Sequence, residues 1–147
     1  MRKTKAWWLN HNTMDLAGAL IALAAFRLPE AVLEQAGPFA SAASAVIAIM
    51  AALGTFGCGM IYQSSAPVIR RARGRFGRQI QRAWIWVISI VLLCAMVSLG
   101  GVAVASLNPT LAWALTLGAL GVASLATWRV VAYIQFVLTA EAIKPGE

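Results

Sequence analysis

Three charged side chains, Arg27, Glu30 and Glu34, stand at i, i+3 and i+7, so on one helix they share a face. Inside a membrane such a row would line an ion or proton pathway. At the membrane surface the same row does something simpler: Arg27 snorkels outward and pairs with Glu30 or Glu34. Arg27 follows Asp15 by twelve positions, about 18 Å at α-helical rise, which puts it in the outer part of a bilayer and favours the surface reading. Asp15 and Arg129 form a second pair of opposite charges, expected at one depth on the first and last spans. They read as a structural interhelical pair near a wet interface, worth roughly 1 kcal/mol where they face each other, or as two charges with no contact at all. A proton relay needs more buried titratable groups than this chain supplies.

No catalytic constellation emerges. His11 is the one histidine, which excludes a bis-histidine haem, and a Ser/His/Asp triad would have to use His11 and Asp15 beside the headgroups. Cys58 and Cys94 form no CxxC and read as small apolar core residues. No Cys/His metal cluster is present. The expectation is a chain without catalytic residues, metal or cofactor, and not an enzyme.

The densest chemistry is basic. Arg70, Arg71, Arg73, Arg75, Arg78 and Arg82 fall in one short stretch. Such a cluster binds anions generically. Anionic lipid headgroups fit best, at about 1 kcal/mol per basic residue near the surface; an acidic partner is possible, and nucleic acid is the weaker reading. Gly74 and Gly77 make no phosphate-binding loop, since no strand precedes them and no GK[ST] follows.

These residues need positioning elements, and the composition says which. Of 147 residues, 61% are hydrophobic and 12% charged, against about 25% charged in ordinary soluble domains. That excludes a soluble fold, and disorder too. The chain reads as all-α, a single integral membrane domain over residues 1–147. Four spans are expected, at about 14–35, 39–62, 84–107 and 111–138, joined by turns at Gly37-Pro38 and Asn108-Pro109 and by a basic loop over 65–83. Asp15 directly precedes the first apolar stretch, so that stretch reads as a retained span and not a cleaved leader. Lys and Arg concentrate in the tail (Arg2, Lys3, Lys5) and the 65–83 loop. The positive-inside rule therefore makes both cytoplasmic, N-in and C-in. Trp7, Trp8, Tyr62, Trp84, Trp86, Trp128 and Tyr133 all fall at that face, with Trp113 alone near the outer one, as an aromatic belt requires.

Small residues recur on the spans. Ala40, Ser44, Ala48 and Ala52 form an i+4 ladder, followed by Gly54, Gly57 and Gly59. Gly18 with Ala22 and Ala114 with Gly118 repeat the spacing. Such faces let helices pack closely, within the chain or against a second copy or a larger membrane partner. The functional expectation is a non-catalytic packing subunit or accessory of an inner (cytoplasmic) membrane assembly. The alternative is a homo-oligomeric pore, holin-like or ion-conducting, but Ser41, Ser44, Ser98, Thr116, Ser124 and Thr127 are scattered thinly for a polar stripe.

Overall fold

The computed structural model describes residues 12–64 and 67–142. Arg2, Lys3, Lys5, Trp7, Trp8, His11, Lys144 and Glu147 lie outside them. The described residues form a 3₁₀-helix η1 (Asn12–Arg27), a one-turn helix α1 (Glu30–Leu33), and three long helices: α2 (Ala36–Gln63), α3 (Pro67–Val104) and α4 (Pro109–Ala142). Each long helix contains a stretch long and apolar enough to cross a membrane: Ala36–Met60, Gln81–Val104 and Pro109–Gln135. A multi-pass membrane protein is what these three stretches point to.

The first expected span is neither α-helical nor continuous. The 16 residues of η1 rise by about 2.0 Å each and cover about 32 Å, where an α-helix would cover about 24 Å. The longer rise also carries Arg27 about 24 Å from Asp15 and not 18 Å. Pro29, extended at φ −69° and ψ 153°, ends η1 and begins α1.

Gly37-Pro38 does not separate the first two spans. Both residues lie in the first turn of α2, where the N–H that proline lacks would have had no intrahelical partner. The break falls earlier, at Glu34–Gln35. Asn108-Pro109 does separate the last two: Asn108 Oδ1 accepts the Leu111 N–H at 3.0 Å, and Pro109 opens α4.

The stretch expected as a basic loop, 65–83, is helical from Pro67 onward and runs unbroken into the third span, making α3 38 residues long. Phe76, Ile80 and Ala83 recur at helical spacing within this stretch.

The long helices pack against one another, and η1 packs chiefly on α4. Ile47, Trp84, Val87, Val91, Ala123 and Val130 form the main core. At the other end a smaller cluster gathers around Trp113, which stacks on Phe39 (centroids 4.1 Å, interplanar 22°) and donates to the Val32 carbonyl at 3.1 Å. Trp113 and Trp84 are therefore core residues and not belt residues; Trp128 and Tyr62 do face outward.

The expected ladder on α2 divides. Ala40 is buried, while Ala48 and Ala52 are exposed. An i+4 step advances 400°, so the ladder drifts about 40° per step and by Ala52 has turned about 120° away from Ala40. The packed stripe is instead Ala36, Ala40, Ala43, Ile47, Gly54 and Gly57.

Among the glycines, those at the crossing of η1 and α4 have the tightest surroundings. A Cβ on Gly18 would overlap the backbone of Gly121, and a Cβ on Gly121 would overlap the Gly18 carbonyl. Next to this crossing, a Cβ on Gly118 would lie 3.3 Å from the Ala22 Cβ. Only glycine on both helices permits contact at this distance.

Candidate functional site: a buried charge pair

Asp15 lies in the first turn of η1. Arg129 lies late on α4, which runs the opposite way, so the two reach the same end of the bundle. The Gly18–Gly121 crossing, one 3₁₀ turn from Asp15, brings the helices close enough for the side chains to meet. Arg129 Nη2 donates to Asp15 Oδ1 at 2.9 Å, with both side chains 0% exposed. Trp86 Nε1, on α3, donates to Asp15 Oδ2 at 3.3 Å. Tyr133 follows Arg129 by one turn and packs obliquely on Trp84 at 6.0 Å.

The burial departs from the sequence expectation of a wet interfacial pair. Trp86 was expected only as a belt residue, and its hydrogen bond to the carboxylate has no signature in sequence spacing. Both carboxylate oxygens are engaged, one by a guanidinium and one by an indole. The cluster therefore ties the first, third and last long elements together at one point. Charge-assisted bonds of this kind are the strong ones.

The other expected charges do not assemble. Arg27, Glu30 and Glu34 are all exposed, and among the described residues the one carboxylate–guanidinium pair is Asp15–Arg129. The change from 3₁₀ to α geometry at Pro29 removes the shared face on which Arg27 was to meet the glutamates. Arg70, Arg78 and Arg82 are exposed along α3; of Arg71, Arg73 and Arg75 the helical backbone alone is described. Cys58 and Cys94 are free thiols. Among the described residues no three His, Cys, Asp or Glu side chains converge on a point that would hold a metal.

Three of the six expected hydroxyls are bonded to backbone carbonyls, while the buried Thr127 Oγ1 has no hydrogen-bond partner among the described residues. Ser98 donates to the Ala40 carbonyl at 3.0 Å, Thr116 to Ala112 at 2.8 Å and Ser44 to Ser41 at 2.7 Å. Ser98 and Thr116 are buried between helices and so face no lumen.

Compared with known proteins, the chain matches no family model, no curated sequence and no solved structure.

Proposed function

We propose that this chain is a non-catalytic packing subunit of an inner-membrane assembly. It spans the bilayer four times, with both termini and the arginine stretch in the cytoplasm. The observation that carries the packing role is the outward face of α2. Ser41, Ala45, Ala48 and Ala52 are all exposed and lie within about 60° of one line along the helix. Gly59 continues that line, and a Cβ there would meet nothing within 4 Å. A row of small residues is poorly matched to lipid tails but well suited to a neighbouring helix. The engagement of Asp15 with Arg129, and of the Ser98 and Thr116 hydroxyls with backbone carbonyls, supports this role over the pore.

The role is tested by Ala48→Leu/Ala52→Leu. The native chain, extracted in mild detergent, is expected to run in a complex larger than one copy, and the double variant to run as a single copy with unchanged membrane insertion. A native chain that already runs alone, and that leaks dye from liposomes at low protein-to-lipid ratio, would replace the packing role with the pore.

Four spans require η1 to cross, and its length of about 32 Å matches a hydrocarbon core of roughly 30 Å. The charge asymmetry supports the orientation. A cysteine at Asn108, with Cys58 and Cys94 replaced by alanine, is expected to react with an impermeant maleimide only from outside the cell. Labelling from the cytoplasmic side alone would invert the topology.

A further inference from the structure

A groove of about 320 Å³ runs between η1 and α3. Leu16 and Ala19 form one wall, Ile90, Leu93 and Val97 the other, and Gly118 of α4 lies at the floor. It exists because η1 sits down on α4 at the Gly18–Gly121 crossing and presents small residues toward α3, so the gap beside it is not filled. The lining is hydrocarbon and lies along the apolar, membrane-crossing part of α3. Left empty, such a gap forfeits dispersion contacts on every side.

The charge around the groove is uneven. Arg82 and Leu93 are eleven residues apart on α3, which puts them within about 20° of the same line and about 16 Å apart along the axis. Arg82 is exposed, Arg78 is exposed one turn beyond it, and no carboxylate among the described residues pairs with either. Trp86 lies between Arg82 and the groove, at the depth where indoles favour the headgroup boundary. The site is therefore amphiphilic along one line: guanidinium, indole, then a hydrocarbon trough.

We propose that this groove binds an anionic phospholipid, with one acyl chain along η1 and α3 and the phosphate held by Arg82 with help from Arg78. A second copy of the chain fits less well. Two copies in one membrane are related by an axis along the bilayer normal, so a shared face would set Arg82 against its own counterpart at the same depth. The inference rests on the chain lying in a bilayer and is independent of what packs on α2.

The test is native mass spectrometry of the full chain with added phosphatidylglycerol or phosphatidylcholine of matched acyl chains. The native chain is expected to retain phosphatidylglycerol about fivefold better, the factor that one basic contact of about 1 kcal/mol supplies. Arg82→Gln should erase that preference while leaving phosphatidylcholine retention unchanged. Ala19→Leu, at an exposed position that needs no repacking, should fill the trough and lower retention of both lipids. Val46→Leu, exposed on α2 and away from both its small-residue face and the groove, should do neither. The proposal is overturned if the preference survives in Arg82→Gln/Arg78→Gln, or if Ala19→Leu retains both lipids as well as the native chain does. Efficient disulfide dimers of Leu93→Cys would also overturn it, since they would show a second copy covering the groove.

Discussion

Arg129→Ala is expected to destabilise the folded chain by roughly 3 kcal/mol, because removing one partner of a buried ion pair leaves the other charge uncompensated. With the guanidinium gone, Asp15 keeps only the Trp86 indole and must either stay charged in a dry site or take up a proton, and both are costly. Asp15→Ala should cost a similar amount, since it removes the carboxylate that balances the Arg129 charge at a position with 0% exposure. The double variant should cost clearly less than the two losses added together, because it leaves no orphan. Polar pairs between membrane helices couple by only about 0.6 kcal/mol on average, because their separated groups find other partners in the unfolded chain. Here the packed helices close both side chains off from the headgroups, each being 0% exposed, so the larger figure applies. Steric-trap or SDS unfolding of the four proteins in bicelles gives the double-mutant cycle. Additive losses would mean that the two side chains do not interact in the bilayer.

The second large effect is expected at the glycine crossing. Gly121→Val places a side chain where the Gly18 carbonyl stands. The obstruction is backbone on both sides, so no rotamer change relieves it and η1 must lift away from α4. Overpacking of this kind costs roughly 1–3 kcal/mol, and here it also pulls Asp15 away from Arg129. A cysteine pair at Ala22 and Gly118 reports the displacement. The 3.3 Å separation of their Cβ positions is short enough for a disulfide after a small adjustment, so with Cys58 and Cys94 replaced by alanine the pair should oxidise readily. Adding Gly121→Val should abolish that cross-link. Gly100→Val, where a Cβ meets nothing within 4 Å, should leave it intact. Undiminished cross-linking in Gly121→Val would mean that the crossing is not a tight contact.

These two sites also show what the sequence made legible. Opposite charges at matching depth singled out Asp15 and Arg129. The small-residue spacing singled out Gly18 and Gly118, though not Gly121 three positions further on. In each case the pattern says which residues share a face, and leaves open which faces meet and how deeply. That is why the pair read as wet, and why the i+4 ladder of α2 read as one packed face when half of it turns outward. Gly37-Pro38 misled for a local reason: a proline in the first turn of a helix and one just before it look alike in a string of residues. The 3₁₀ form of η1 has no marker in Leu16–Phe26, whose alanines and leucines suit an α-helix as well.

The unbroken α3 carries a mechanical implication. At about 1.5 Å per residue it is about 57 Å long, and only its Gln81–Val104 part, about 36 Å, is apolar enough to sit in the bilayer. The remaining 21 Å or so bears five of the six arginines, and the helix is unbroken where that part joins the apolar stretch. With the bilayer boundary near Gln81, this extension would act as a lever whose fulcrum is the headgroup layer. Any force that tilts or twists its basic end is transmitted along a continuous rod to Trp86, less than two turns inside the boundary, and from there to the carboxylate of Asp15.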